Sequence, residues 1–250
     1  MSNILEKISD QVQLRMKERQ KNISYSELEK LCAQSRKAFS LKNAFDSASD
    51  KLAVLSEVKF ASPSQGVFPL SSSLSPVEVA KDYLDNGSVA LSVLTEADNF
   101  HGSFQNLIQI RKAFPQAVLL MKDFVSDPYQ ILEAQHFGAD AILLIVALLE
   151  KTKLKELYQF AKKRGLSVLV EIHNEEELEH ICDDVDFVGV NNRNLKTFEV
   201  DINTSLQLIE KIPTNKIAIS ESGISNVDTI VTLKEAGFKG FLIGENFMKE

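Results

Sequence analysis

The feature that most constrains this chain is a repeat of short apolar, β-branched runs. There are eight in 250 residues: LAVLSEVK (52–59), SVALSVL (88–94), AVLLMK (117–122), DAILLIV (140–146), SVLVEI (167–172), DFVGVN (186–191), KIAIS (216–220) and GFLIG (240–244). Most are nearly continuous in apolar character, the pattern of parallel strands covered on both faces. Longer stretches with helical spacing lie between them. Ser75-Pro76 and Asp127-Pro128 each offer an N-cap followed by proline at the first helical position. Val77, Ala80 and Leu84 then share a helix face, as do Leu154, Leu157 and Ala161. Ser225 with Asp228 resembles a capping box, and Gly87, Gly138, Gly165 and Gly237 stand where such helices should end. Eight strand–helix units of ~20–30 residues predict an α/β chain closed into a (β/α)8 TIM barrel. The rival, an open doubly wound sheet, would usually carry GxGxxG after its first strand, and none is present.

Residues 1–50 precede the first strand and hold two helical stretches, roughly 4–20 and 26–40. They read as a helical N-terminal extension capping the barrel, within one domain spanning 1–250. The longest loop candidate, 62–76, follows the first strand, where a barrel keeps its active-site loops.

Composition limits the partners. A hydrophobic content of 44% is enough for a sizeable core. A net charge of −7 argues against sequence-independent nucleic-acid binding, which needs clustered Lys and Arg. Cys32 and Cys182 stand alone, without metal-ligand spacing, and read as reduced thiols. His101, His136, His173 and His180 are scattered, so no metal is predicted; His173 follows a strand-end carboxylate and reads as a residue supporting it. The EEELE run (175–179) reads as a solvated helix start. The N-terminus has no apolar core of a secretory signal, and no stretch approaches the ~18 apolar residues of a membrane span. The expectation is a cytoplasmic protein without a membrane partner.

Charge at the C-terminal ends of barrel strands is the functional signal, because a barrel interior is otherwise apolar. Glu57 and Lys59 are two apart on the first strand and share a face. Lys122 closes AVLLMK, and Glu171 closes SVLVE. Ion pairs of Glu57 with Lys59, or Lys122 with Glu171, would explain such charges singly. Four at one end of different strands favour an active site in which Lys and Glu supply acids, bases and anion clamps. Asn191 and Arg193 follow the sixth strand, and an Arg fork suits carboxylate or phosphate. Glu221, Ser222 and Gly223 after the seventh strand, with Gly244 and Glu245 after the eighth, occupy the usual phosphate position of such barrels.

Eight ordered motifs bring in a resemblance: SEVKFASPSQG (56–66), SVLTEADNFHGS (92–103), MKDFVSDPYQI (121–131), GADAILLI (138–145), VLVEIH (168–173), VGVNNRNL (188–195), SESGI (220–224) and FLIGENFM (241–248). Along nearly its whole length the chain resembles the indole-3-glycerol phosphate synthases. The resemblance implies ring closure, decarboxylation and dehydration of 1-(2-carboxyphenylamino)-1-deoxyribulose 5-phosphate in tryptophan biosynthesis, with neither cofactor nor metal. It implies Lys122 as general acid, Glu171 as base, Lys59 as anion clamp and second acid, Glu57 as organiser of the lysines, and Asn191 as substrate positioner. Ser62, Leu94, Phe124, Leu144, Arg193, Glu221 and Ser222 would contact substrate, with the aromatic ring against Phe124, Leu94 and Leu144. Gly223, Gly244 and Glu245 would hold the phosphate. The expectation for assembly is a monomer, with other subunits of the tryptophan pathway as alternative partners.

Two positions depart from the family pattern. Phe60 stands where the family often has a basic residue, and the sequence ends at Met248-Lys249-Glu250, where the family continues into a closing helix. Two rivals remain. A phosphoribosylanthranilate isomerase would use a Cys and an Asp, and neither Cys fits. A catalytically silent partner barrel would not need the intact set Glu57, Lys59, Lys122, Glu171 and Asn191.

Overall fold

The structure, a computed structural model, describes residues 4–48, 52–69, 73–194 and 197–248. Eight parallel strands close into a barrel: β1 (Ala53–Val58), β2 (Ala90–Leu94), β3 (Leu119–Lys122), β4 (Ala141–Ile145), β5 (Ser167–Ile172), β6 (Phe187–Asn191), β7 (Ile217–Glu221) and β8 (Gly240–Ile243). Each pairs with its sequence neighbours, and β8 closes onto β1 with Ala53 opposite Gly240. All eight coincide with the apolar runs of the sequence, and the predicted (β/α)8 architecture stands.

The helices are α1 (Ile4–Asn22), α2 (Tyr25–Ala33) and α3 (Leu41–Asp46) before the barrel, then α4 (Pro76–Asp85), α5 (Phe104–Ala113), α6 (Pro128–His136), α7 (Lys151–Lys163), α8 (Asn203–Leu208) and α9 (Val227–Ala236) between strands. Ser75 and Asp127, each followed by Pro, cap α4 and α6 as expected, and both form capping boxes. Two local expectations need correction. Helix α4 buries Val79, Ala80 and Tyr83, so its inward face is rotated from the Val77, Ala80 and Leu84 stripe. The N-cap of α9 is Asn226, whose side chain accepts from Thr229 N, rather than Ser225.

Strand alternation divides the apolar residues into two layers. Leu55, Leu120, Leu143, Leu169 and Phe187 fill the barrel interior. Leu91, Met121, Ile142, Val170 and Val188 face the helices. Helix α3 plugs the N-terminal end, where Phe45 meets Phe187 edge-on with centroids 5.4 Å apart.

The stretch 34–40 is not helical, contrary to the expected helix over 26–40; α2 ends at Ala33. A distant charge is the reason. Buried Asp140 accepts from Phe39 N at 2.7 Å and Leu119 N at 2.8 Å, and pairs with both Arg36 and Arg111. Those contacts draw the segment to the barrel wall in a non-helical path. Helix α1 is fastened elsewhere, by Arg19 on Glu133 at 2.5 Å and by the buried side chains of Leu5, Ile8, Val12 and Met16. Among the described residues, no helix is long and apolar enough to cross a membrane.

Candidate active site

In a barrel, alternate strands contribute side chains to one interior layer. Here the uppermost layer is charged. Glu57 comes from β1, Lys122 from β3, Glu171 from β5 and Glu221 from β7, with Lys59 just past β1 above Glu57. Lys122 Nζ lies 2.8 Å from Glu221 Oε2, 3.4 Å from Glu171 Oε2 and 3.8 Å from Glu57 Oε2. Lys59 Nζ binds Glu57 Oε1 at 2.6 Å. The pairs considered from sequence, Glu57 with Lys59 and Lys122 with Glu171, both exist, but the shortest partner of Lys122 is Glu221.

Burial makes these contacts matter, because a desolvated charge persists only when paired. Burial opposes the charge on Lys122, but Glu221, Glu171 and Glu57 outweigh it and hold the ammonium well above the usual lysine range. Burial also disfavours ionised Glu57, yet Lys59 and Lys122 bring it below the ordinary carboxylate range. Glu171 is likewise buried but held low by Lys122, His173 and a hydrogen bond from Asn191. Glu221 differs: burial, with repulsion from Glu171 and Glu57, overcomes Lys122 and pushes it up. Its Oε1 has no hydrogen-bond partner. One layer therefore holds carboxyls biased towards opposite protonation states around a fixed ammonium.

This layer floors a cavity of about 440 Å³. One wall is apolar, built from Leu94, Phe100, Phe124, Leu143 and Ile145, with Ile4, Leu5 and Ile8 of α1 at its edge. Phe100 and Phe124 pack with ring centroids 6.2 Å apart. Asp123, pushed up to about 6 by burial, accepts from Thr95 Oγ1 at 2.5 Å and from Phe124 N at 2.8 Å, which sets the backbone beneath the Phe124 ring. Leu144 is not on this wall. Interior positions of β4 are Ala141, Leu143 and Ile145, so Leu144, expected at the cavity, faces the helical layer, and Leu143 and Ile145 line the cavity in its place.

The opposite wall is polar and carries Ser62, Asn191, Arg193, Ser222, Gly223, Gly244 and Glu245. Arg193 binds Glu245 Oε2 at 2.8 Å and donates to Ser64 Oγ at 3.3 Å, joining the loops after β1, β6 and β8. The loop after β1 contains a short antiparallel hairpin, Ala61–Ser62 with Gly66–Val67; residues 70–72 of its continuation lie outside the described residues. Gly244 stands against Glu57: a Cβ there would meet Glu57 Cβ at 2.7 Å and Oε1 at 2.8 Å.

Glu221, expected among the substrate contacts but in the loop after the seventh strand, is instead the last residue of β7 and joins the charged layer, whereas Gly189 and Asn192 went unrecognised in the sequence. The alternation Ile217, Ile219, Glu221 carried that signal. Gly189 on β6 leaves room for it, since a Cβ there would lie 2.1 Å from Glu221 Oε1. Asn192, buried behind the site, donates to Ser220 Oγ at 3.1 Å and Ser222 O at 3.0 Å and accepts from Ser205 N at 3.0 Å. It pins Ser222, which holds a left-handed φ of 65°. The EEELE run is also not fully solvated: it forms a 3-10 helix, Glu176–His180, and turns Glu177 inward onto His173. Among the described residues, no group of three or more His, Cys, Asp or Glu is arranged to hold a metal ion.

The sequence matches the indole-3-glycerol phosphate synthase family over residues 5–250. A protein of that name from Caldanaerobacter subterraneus is 44% identical over 247 residues, spanning 98% of this chain and 93% of its own length. Another, from Salinibacter ruber, is 40% identical over 249 residues, spanning 99% of this chain and 91% of its own. A third, from Chromobacterium violaceum, is 45% identical over 201 residues, spanning 80% and 75%. With the match running through every barrel strand and the loops around the charged layer, the chain belongs to the indole-3-glycerol phosphate synthase family.

Proposed function

We propose that this chain converts 1-(2-carboxyphenylamino)-1-deoxyribulose 5-phosphate into indole-3-glycerol phosphate, carbon dioxide and water, as a cytoplasmic enzyme of tryptophan biosynthesis. One observation carries the reading: a lysine held protonated by three carboxyls lies beside an aromatic wall, within a cavity the size of a small phosphorylated aromatic. The aryl ring packs against Phe100, Phe124 and Leu94, and the phosphate lies on the polar side near Arg193, Gly223 and Gly244. This opposes the carboxylate-bearing ring carbon to the ribulose carbonyl. Such orientation lowers a barrier by several kcal/mol, about 7–11 in favourable intramolecular cases.

The chemistry follows in three steps. The ring carbon attacks the carbonyl carbon while Lys122 protonates the developing alkoxide, a stronger base than an amine. Loss of carbon dioxide returns the C–C bonding pair to the ring and restores aromaticity. The hydroxyl then leaves as water, with Lys59 supplying the proton and Glu171, ionised at rest, accepting the one released. Glu57 bridges the two lysines, and Asn191 orients the substrate hydroxyls. The chain works as a monomer in this reading.

Carbon dioxide release from substrate labelled at its carboxyl group tests the proposal. Stoichiometric release with indole-3-glycerol phosphate as the organic product supports it. A bound substrate recovered unchanged, or isomerised without loss of label, contradicts it.

A further inference from the structure

Glu171 has a neighbour that the reaction scheme does not use. His173 lies two residues beyond it, just past the end of β5, with its side chain 9% exposed. The ring is held from behind by one acceptor: Glu177 Oε2 takes the His173 backbone N–H at 2.8 Å and lies 3.3 Å from Nδ1. Glu177 is itself fixed, since Asn174 Nδ2 donates to its Oε1 at 2.8 Å and its backbone N–H donates to Asn174 Oδ1 at 3.1 Å. The opposite ring atom, Nε2, faces Glu171 Oε1 at 3.2 Å without the alignment of a full hydrogen bond. Contacts of this kind tighten when substrate completes a site.

We propose that His173 is a positioning residue for Glu171: clamped by Glu177, its imidazolium fixes the carboxylate rotamer and keeps the base ionised. The inference rests on the assignment of Glu171 as the base. The carboxylate is then gripped at both oxygens, Oε1 by His173 and Oε2 by Lys122. Asn191 of β6 adds a hydrogen bond, while Glu57 of β1 and Glu221 of β7 face the same group as carboxyls of like charge. Two carboxyls so near would favour protonating one, and a second cation beside Glu171 directs that proton to Glu221. The electrostatics agree. Burial alone would lower the imidazole, yet Glu171 and Glu177 raise it to about 9, so the ring is charged at neutral pH. The second cation also leaves Glu171 ionised when Lys122 turns to the substrate oxygen. The inward turn of Glu177 from an otherwise solvated acidic run has this clamp as its purpose.

The test combines two readouts on the full chain. Ring-nitrogen NMR of His173, without substrate, follows its titration in wild type, Glu171→Gln and Glu177→Gln. The expected midpoint lies well above the ordinary 6.5 in wild type and falls in both variants. A midpoint unchanged in Glu171→Gln overturns the proposal, whether or not the protein turns over the proposed substrate. The pH profile of kcat is then compared between wild type and His173→Leu. Losing the cation makes Glu171 easier to protonate, so the acidic limb should move up by about one pH unit, with KM changed less than about threefold. A limb that stays in place overturns the proposal even if kcat falls. If His173→Leu does not fold, His173→Gln, which keeps a neutral donor, should show the same displaced limb. If wild type does not process the substrate, the proposed function fails and the NMR titration alone judges the histidine clamp.

Discussion

Gly189→Ala isolates the packing that places Glu221 in the charged layer. The added Cβ would sit 2.1 Å from Glu221 Oε1 and 3.3 Å from Leu169 Cδ1. Ordinary contact begins near 3.4 Å, so the carboxylate must retreat by about 1.3 Å. Its other oxygen holds Lys122 at 2.8 Å, the shortest of that lysine's three contacts, and a retreat of this size breaks it. The ammonium then relaxes towards Glu171 and Glu57, away from the proposed position of the reacting carbonyl. A misplacement of about 1 Å at a reacting group costs on the order of 100-fold in rate. Stability should change less. Overpacking costs about 1–3 kcal/mol, while removing a strand glycine returns about 0.5–1 kcal/mol. The expected result is a fall in kcat near 100-fold with a denaturant midpoint only modestly lowered. A variant that keeps kcat within about threefold of wild type would refute the link between Gly189, Glu221 and Lys122.

Four further outcomes are expected. Arg193→Ala removes the cation proposed to face the phosphate and should raise KM by about 10–100-fold, with a smaller effect on kcat; steady-state kinetics decide this. Asp140→Ala strands Arg36 and Arg111 against the barrel and should cost about 3–5 kcal/mol in urea unfolding, and a loss below 1 kcal/mol would contradict that account. Asn192→Ala leaves the Ser205 N–H without its buried acceptor and should cost about 1–3 kcal/mol by the same measurement. His173 gives a pH dependence of defined sign. Its folded-state value, about 9, is above the ordinary 6.5, so its stabilisation is complete below about pH 6.5 and lost as pH rises through about 9. The stability gap between wild type and His173→Leu should therefore narrow across that window, and a constant gap would exclude the imidazolium.

Much of this was legible in the residues, for reasons that also mark where legibility ends. The eight strands were readable because each is a short apolar run bounded by turn and capping signals. Glu57, Lys59, Lys122 and Glu171 stood out because a charge inside an apolar run has few structural explanations. Leu144 was misassigned because DAILLIV is apolar on both faces, so nothing in it reveals which residues point inward. Glu221 reads as a loop residue because the apolar run ends at Ser220, although the interior register of β7 continues through it. The path of 34–40 depends on Asp140, about a hundred residues away, and no local pattern encodes such a contact. The roles of Gly189 and Asn192 likewise exist only once neighbouring strands are in register.

The most direct measurement of the central claim is the fluorescence of newly formed indole when the purified chain meets the carboxyphenylamino-deoxyribulose phosphate. The protein contains no Trp, so the product signal stands on a low background. The account predicts a steady rise with wild type and a loss of about 10²–10⁴-fold in Lys122→Ala, the range of a general acid. Wild type that produces no indole, or a Lys122→Ala variant that produces it at an undiminished rate, would contradict it.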